Sequence, residues 1–216
     1  MSEDDGRDIS DSIAAGGIVP VVVLNDPAAA DPLAAALLHG GLRCAEVTFR
    51  TDAAVDAIKA MAAHPDMLVG AGTVLTPAQV DQAVEAGARF IVSPGFSAAV
   101  VAHCRARGVP VFPGVATPTE IQMALEAGLD TVKFFPAEQL GGAPMVKALS
   151  APFRGVRFIP TGGVTSANLR DYLALPSVLA VGGTWMVAPD LLAAGRWDEV
   201  TARTRSALAE VGDARA

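Results

Sequence analysis

The amino-acid sequence predicts an α/β fold, a single (β/α)8 TIM barrel with an extra N-terminal helix. Two observations indicate this fold. Eight short runs are rich in β-branched or aromatic residues, and all except the second end in a turn with Gly or Pro. A stretch of good helix formers follows each run. The units recur every 20–26 residues, and repeated βα units require parallel strands joined by helical crossovers. Eight such units close a barrel of this type.

Each predicted unit begins with a strand. The strands are IVPVVVL from Ile18, RCAEVTF from Arg43, MLVGAGT from Met67, RFIVSPG from Arg89, VPVFPGV from Val109, DTVKFFP from Asp130, VRFIPTGG from Val156 and VLAVGGT from Val178. Strand residues in a barrel alternate between the interior and the helix layer. The C-terminal strand ends carry the active site.

The helices between these strands have recognisable start and stop signals. They are AAADPLAAALL, AAVDAIKAMAA, PAQVDQAVEAG, SAAVVAHCRARG, PTEIQMALEAG, GAPMVKALS, SANLRDYLAL and WDEVTARTRSALAEV. Several begin at Ser, Thr or Thr-Pro, which are preferred at helix N-termini. Gly87, Gly108 and Gly128 are each predicted to end a helix just before a strand.

An open doubly wound sheet is the alternative fold. It needs a Gly-rich phosphate loop after the first strand, but the turn there reads LNDPAAAD. The GAG at Gly70–Gly72 lacks the third glycine of a dinucleotide-binding fingerprint. We therefore expect one barrel domain over residues 1–216. Residues 1–16 are predicted to form a helix that caps the barrel floor, and residues 17–216 the barrel.

Composition excludes several classes of protein. The chain has 51% hydrophobic and 18% charged residues, which excludes a disordered chain. No apolar run approaches the ~20 residues that span a membrane, and no Lys/Arg cluster accompanies the net charge of −7, so we expect no membrane or nucleic-acid partner. The acidic start MSEDDGRDIS differs from a signal peptide. Cys44 and Cys104 have no paired spacing, which is typical of reduced thiols in a cytoplasmic protein.

Lys133 is the first candidate catalytic residue. On the sixth predicted strand, alternation places Thr131, Lys133 and Phe135 on the interior face. An uncompensated ammonium there costs several kcal/mol. Desolvation favours the neutral amine, which is the form that a Schiff-base nucleophile needs. The alternative is a lysine whose ammonium extends to the barrel rim.

Glu46, Thr48 and Arg50 share one face of the second predicted strand. The functional interpretation is a proton-transferring carboxylate beside an arginine that binds a carboxylate or phosphate. The arginine charge would also help to keep Lys133 deprotonated. The alternative is a buried ion pair between Glu46 and Arg50.

Two glycine turns form the third candidate site. Thr161-Gly162-Gly163 ends the seventh predicted strand, and Gly182-Gly183-Thr184 ends the eighth. Loops at these two places commonly form the phosphate site of a barrel through backbone N–H groups. The alternative is that they are only tight turns. Because no Asp, Glu and His cluster has ligand spacing, we expect no metal. The residues thus indicate an enzyme for a small anionic carbonyl compound that works through a lysine imine.

Several motifs, in order over about residues 18–185, resemble those of one enzyme family. They are EVTFRT from Glu46, VGAGTVLTPAQ from Val69, SPGF from Ser93, PVFPGVATPTE from Pro110, VKFFPAE from Val132, FIPTGGV from Phe158 and VGGTW from Val181. The family is the 2-dehydro-3-deoxy-6-phosphogluconate (KDPG) / 4-hydroxy-2-oxoglutarate (KHG) aldolases. The resemblance implies a class I, metal-independent barrel aldolase, usually a homotrimer. It would cleave KDPG to pyruvate and glyceraldehyde 3-phosphate, and KHG to pyruvate and glyoxylate.

The resemblance also implies roles for residues. Lys133 matches the imine-forming lysine, Glu46 the general acid/base, and Arg50 the arginine that holds the pyruvate carboxylate. The pyruvate pocket would be lined by Thr73, Pro94 and Phe135. The phosphate turns would comprise Thr161, Gly162, Gly163, Gly182, Gly183 and Thr184, where well-known members of the family have Ser at the last position.

Three other functions stay open on the sequence alone. One is cleavage of the galactonate-derived isomer of the substrate. Another is a phosphate-binding barrel isomerase or synthase, which needs the glycine turns but no lysine within TVKFFP. The third is a sensor that binds a sugar phosphate without turnover.

Overall fold

Parallel strands alternate with helices along the computed structural model, which describes residues 3–215; residues 1, 2 and 216, the ends of the predicted domain, lie outside the described part. The strands are β1 Ile18–Val22, β2 Cys44–Thr48, β3 Leu68–Gly72, β4 Phe90–Val92, β5 Val111–Phe112, β6 Gly114–Val115, β7 Thr131–Phe134, β8 Arg157–Pro160 and β9 Val181–Gly183. The α-helices are α1 Glu3–Gly16, α2 Ala30–His39, α3 Ala54–Ala62, α4 Pro77–Glu85, α5 Ala98–Arg107, α6 Pro118–Glu126, α7 Gly142–Ser150, α8 Leu169–Leu173, α9 Pro189–Ala193 and α10 Trp197–Arg215.

The strands form two parallel sheets. Six strands pair in the order β5-β4-β3-β2-β1-β9, and three pair in the order β6-β7-β8. Single parallel bridges join Phe158 to Val178 and Thr161 to Gly182, between the β8 and β9 regions. The predicted α/β class with parallel strands is therefore confirmed.

The fifth predicted strand differs from its expected form. It is split into β5 and β6 at Pro113, one in each sheet. Proline has no N–H to donate to a strand ladder, so it interrupts regular pairing. Its carbonyl still accepts from Lys133 N at 2.9 Å, which holds β7 against this segment.

Three of the helices that follow strands are capped by a side chain at their N-terminus. Thr76, Ser97 and Thr117 each accept a hydrogen bond from a backbone N–H in the first turn of α4, α5 and α6. These caps satisfy N–H groups that a helix start leaves without partners. At the other ends, Gly87, Gly108 and Gly128 follow the helices, as predicted, and all three have positive φ.

Two hydrophobic clusters lie on opposite sides of the strands. The larger fills the space between strands and helices and includes Val47, Val132 and Phe134. The smaller lies on the other side and includes Phe90, Phe112 and Ile159, together with Ile9 and Ile13 of α1. The first helix thus packs onto this second face. None of the described helices is long and apolar enough to cross a membrane.

Candidate active site

A buried ion pair joins β2 to β7. Glu46 and Lys133 are 3% and 5% exposed, and Lys133 Nζ donates to Glu46 Oε1 at 3.2 Å. Their sequence neighbours Val47 and Val132 point into the larger core cluster, so alternation turns both charged side chains to the opposite face. The fold thereby brings together a potential nucleophile and a potential proton acceptor.

This ion pair decides between the alternatives that the sequence leaves open for Lys133 and Glu46. Lys133 faces the interior, as predicted, and does not extend to the rim; the Glu46 carboxylate lies beside it. Glu46 was expected to share its face with Arg50, but β2 ends at Thr48 and Arg50 lies exposed in the following turn. Alternation applies only while the chain stays extended, so it does not fix Arg50. The alternative of a buried Glu46–Arg50 ion pair is therefore wrong.

Space for the Glu46 carboxylate comes from Gly72 at the end of β3. A Cβ at Gly72 would lie 2.5 Å from Glu46 Cγ and 2.6 Å from its Cδ, far inside contact distance. Similarly, a Cβ at Gly70 would overlap the ring of Phe90. The GAG sequence therefore makes room for two inward side chains. This role of Gly72 was missed by the sequence interpretation, which considered GAG only as a dinucleotide fingerprint.

The surroundings of the pair are mainly apolar. Glu46 and Lys133 border a small internal cavity whose other walls are Ile13, Val19, Phe90, Val92, Phe112, Ile159 and Thr161. In such surroundings a charge interacts strongly with its partner and is costly alone. Phe135, half-buried just after β7, has its ring centroid 5.3 Å from Lys133 Nζ, within range of a cation–π contact.

Two further predicted residues lie at neighbouring strand ends. Thr73 directly follows β3 and has φ 57°. This left-handed conformation is a genuine outlier for a β-branched residue, and such strain clusters at functional sites. Pro94 follows β4, and a Cβ on Gly114 would overlap the Pro94 carbonyl group. Because Gly114 is the register partner of Lys133, Pro94 lies close to the β7 side of the site.

The two glycine turns lie side by side, because Thr161 bridges to Gly182. Gly162 and Gly163 have φ of 98° and 80°, so the first turn requires glycine for its backbone shape. The second turn requires glycine for packing. A Cβ on Gly182 would overlap the Thr161 hydroxyl, and one on Gly183 would overlap the ring of Trp185. Thr184 is exposed at the start of the 3-10 turn Trp185–Val187.

Glu138, in the segment after β7, is a second residue that the sequence interpretation missed. Its N–H donates to Gly162 O at 3.0 Å. Its position in VKFFPAE, just past the strand that carries Lys133, is the signal that marks it.

The two cysteines are unsuited to nucleophilic catalysis. Burial, reinforced by the nearby Glu46 carboxylate, raises the pKa of the Cys44 thiol. Burial also raises the pKa of Cys104 to about 12. Both therefore stay protonated near neutral pH. Among the described residues, no three His, Cys, Asp or Glu side chains are grouped as a metal site.

Comparisons with known proteins point to one family. Residues 9–203 match the family model described as "KDPG and KHG aldolase". The chain is 54% identical to the 2-dehydro-3-deoxy-phosphogluconate aldolase of Treponema pallidum, over 90% of this chain and 93% of that protein. It is 46% identical to the KHG/KDPG aldolase of Escherichia coli K12, over 91% and 92% of the two chains.

A solved structure shares the fold closely. It is the KDPG aldolase of Legionella pneumophila, described with pyruvate captured at low pH as a covalent carbinolamine intermediate. The TM-score is 0.89 at 41% identity, over 92% of this chain and 97% of the other.

Proposed function

The chain belongs to the KDPG and KHG aldolase family, and from this premise we propose that it cleaves KDPG to pyruvate and glyceraldehyde 3-phosphate through an imine on Lys133. It is an aldehyde-lyase that acts on a small keto-sugar acid. The observation that carries the assignment of residues is the buried contact of 3.2 Å between Lys133 Nζ and Glu46 Oε1. Cleavage of KHG to pyruvate and glyoxylate is proposed as a second activity of the same site.

The paired carboxylate supplies what the imine chemistry requires. Glu46 takes a proton from Lys133, and the neutral amine attacks C2 of the substrate. Glu46 returns this proton to the carbinolamine hydroxyl, which leaves as water, so that a protonated imine forms and the carboxylate is regenerated. The imine then accepts the C3–C4 bonding electrons and becomes an enamine. Glu46, acting through a water molecule, accepts the C4 hydroxyl proton while that bond breaks, and the aldehyde leaves. It then returns a proton to C3, and hydrolysis of the imine releases pyruvate and regenerates Lys133.

We assign the pyruvate half of the substrate to the strand ends around Lys133. The guanidinium of Arg50 is suited to bind the carboxylate; it is exposed in the turn after β2, and within the described part of the chain it takes part in no ion pair. Thr73, whose strained backbone supports a functional role, would hold the same carboxylate. Pro94 and the ring of Phe135 would provide the apolar walls beside Lys133.

The phosphate is assigned to the two adjacent glycine turns. Thr161, Gly162 and Gly163 would form one side of its site, and Gly182, Gly183 and Thr184 the other. The bridge between Thr161 and Gly182 supports this assignment, since it brings both turns to one edge of the sheets. Backbone N–H groups in such turns suit an anion because they need no basic side chain.

The finer features of the architecture are also proposals. We propose that the two sheets close into one eight-stranded barrel, with β5 and β6 as a single interrupted strand, and that α1 caps its floor. Continuity through Pro113 and the bridges from β8 to β9 support closure. We further propose that the chain is a single domain, that it assembles as a homotrimer and that it is cytoplasmic. The proposed reaction needs no metal or other cofactor.

Reduction with borohydride in the presence of pyruvate tests the proposed chemistry. We expect the reduced pyruvyl adduct at Lys133, mapped by mass spectrometry, with loss of activity. Lys133→Arg should abolish both labelling and turnover, because a guanidinium stays protonated. Lys59 and Lys147 serve as internal controls, and an adduct at either would contradict the assignment.

Pyruvate release from KDPG, coupled to lactate dehydrogenase, tests the substrate. A protein that binds KDPG without releasing pyruvate would be a sensor. One that releases no pyruvate and forms no adduct would be an isomerase or synthase. Faster cleavage of the galactonate-derived isomer, measured side by side, would change the substrate but not the mechanism.

A further inference from the structure

Glu138, in the segment after β7, packs on the turn after β8 and accepts a hydrogen bond from Tyr172 of α8. We propose that Glu138 and Tyr172 are positioning residues, which hold the Thr161–Gly163 turn in the shape that receives the substrate phosphate. The inference rests on the proposed function, in which this turn binds phosphate. It assigns a specificity role to two residues that lie outside the reacting centre.

The backbone ties these two segments together at successive residues. Ala137 N donates to Thr161 O at 2.8 Å, and Glu138 N donates to Gly162 O at 3.0 Å. The carbonyls of Thr161 and Gly162 are thereby directed towards the β7 side. The position of Gly162 and Gly163 consequently depends on where the segment at residues 137–138 is held.

The Glu138 side chain also covers the turn. A Cβ on Gly163 would lie 2.5 Å from Glu138 Cγ and 2.6 Å from its Cβ, so the methylene groups of Glu138 pack directly on Gly163. From the other direction, Asn168 Nδ2 donates to Gly163 O at 3.1 Å. Gly163 is thus held between Glu138 and Asn168, and a shift of either partner would displace it.

Tyr172 of α8 fixes the far end of Glu138. Its side chain is 1% exposed, and its hydroxyl donates to Glu138 Oε1. Burial, reinforced by the hydrogen bond to Glu138, raises the pKa of Tyr172, so the phenol remains a donor near neutral pH. Glu138 itself is exposed, and without this bond its side chain would regain rotational freedom.

The bond also determines where the Glu138 charge lies. Oε1 is 3.2 Å, and the Tyr172 hydroxyl 3.4 Å, from the place of a Cβ on Gly142 at the start of α7. The carboxylate therefore faces α7, while the methylene groups face Gly163.

Tyr172→Phe tests the inference, because it removes the hydroxyl and keeps the ring in the core. Loss of a hydrogen bond to a charged group predicts a rise in the KM for KDPG of ~10-fold, with kcat within ~2-fold of the wild type. Exchange of the pyruvate methyl protons with deuterated water, followed by NMR, should keep its wild-type rate. This half-reaction needs Lys133 and Glu46 but no phosphate, so a general structural defect would slow it as well.

Matched variants of Glu138 separate positioning from simple loss of a side chain. Glu138→Gln keeps an acceptor for Tyr172 and should stay within ~2-fold of the wild-type KM. Glu138→Ala should reproduce the loss of Tyr172→Phe, and the double variant should be no worse than either single one. Because Glu138 is exposed, substitutions there should disturb folding little. The Glu138 variants therefore still test the inference if Tyr172→Phe folds poorly.

Three results would each overturn the inference. The first is an equal loss in KDPG cleavage and in pyruvate exchange, the second an unchanged KM in Tyr172→Phe and Glu138→Ala, and the third additive effects in the double variant. Failure of the wild-type protein to cleave KDPG would instead overturn the proposed function. The two failures are therefore distinguishable.

Discussion

Adding a single methyl group at Gly72 should disable the proposed active site while both catalytic residues, Glu46 and Lys133, keep their identity. Gly72 lies at the end of β3 with φ outside the left-handed region, so its backbone accepts alanine. The alanine Cβ would lie 2.5 Å from Glu46 Cγ. Because Glu46 is buried among packed strands, its side chain must move rather than the backbone of β3.

The required movement can be derived from these distances. Ordinary van der Waals contact begins at 3.4 Å, so Glu46 Cγ must retreat by about 0.9 Å, the difference between 3.4 and 2.5 Å. The same shift along the ion pair would lengthen the 3.2 Å contact with Lys133 past the 4.0 Å limit of a salt bridge. A misplacement of about 1 Å costs on the order of 10²-fold in rate. We therefore expect kcat for KDPG cleavage to fall by about 10²-fold.

Pyruvate release coupled to lactate dehydrogenase measures this loss. Borohydride trapping should still map to Lys133, because the lysine itself is present, but it should be slower, because Glu46 no longer lies within hydrogen-bond reach of Lys133. Gly212→Ala is the matched control, because nothing lies within 4 Å of its added Cβ. Thermal unfolding of both variants shows whether they are folded. A folded Gly72→Ala enzyme with wild-type turnover would refute the reasoning that the position of Glu46 determines the rate.

Other perturbations test the remaining assignments. Glu46→Gln should lower kcat by about 10²–10⁴-fold, the range for a lost general acid/base, and near-normal turnover would remove that role. Activity should survive dialysis against EDTA, because an imine replaces a metal as the electron sink; restoration by a divalent ion would contradict class I chemistry. Thr184→Val should raise the KM for KDPG by about 10-fold but leave pyruvate proton exchange unchanged, whereas equal losses would indicate a structural role. Lys133→Met should destabilise the fold by about 3–5 kcal/mol in denaturant titrations, while the double variant Lys133→Met/Glu46→Leu should recover wild-type stability.

Much of the fold follows from local patterns in the sequence. The period of the βα units predicts parallel strands, and glycines such as Gly108 mark helix ends because only they adopt a left-handed φ without strain. The split at Pro113 is less visible, because VPVFPGV reads as one apolar run. A proline interrupts a strand only where a neighbouring strand would otherwise accept a hydrogen bond from the backbone N–H at that position. This depends on how the strands pair in the sheet, which the local sequence does not show.

The site is predictable only where alternation along one strand is sufficient. Alternation correctly turns Lys133 and Glu46 away from the helix layer. It does not reveal that they meet, since 87 residues separate them and their contact depends on how the sheets curl. For Arg50 the alternation predicts too much. The alternating pattern of Glu46, Thr48 and Arg50 continues in the sequence, but the strand has already ended at Thr48. Gly72 serves Glu46 from the neighbouring strand, where Gly70 is the register partner of Glu46, so its role requires the register.

The burial of this ion pair is itself an argument for function. Removing two charges from water costs several kcal/mol for each ion, and replacement of a buried pair by apolar residues is often neutral or stabilising. The apolar cavity walls around Glu46 and Lys133 make such a replacement sterically simple. Stability alone therefore does not explain the pair. The proposed proton transfer would explain it, because an amine that must lose its proton before attack needs an acceptor within hydrogen-bond reach, and Glu46 Oε1 lies at that distance.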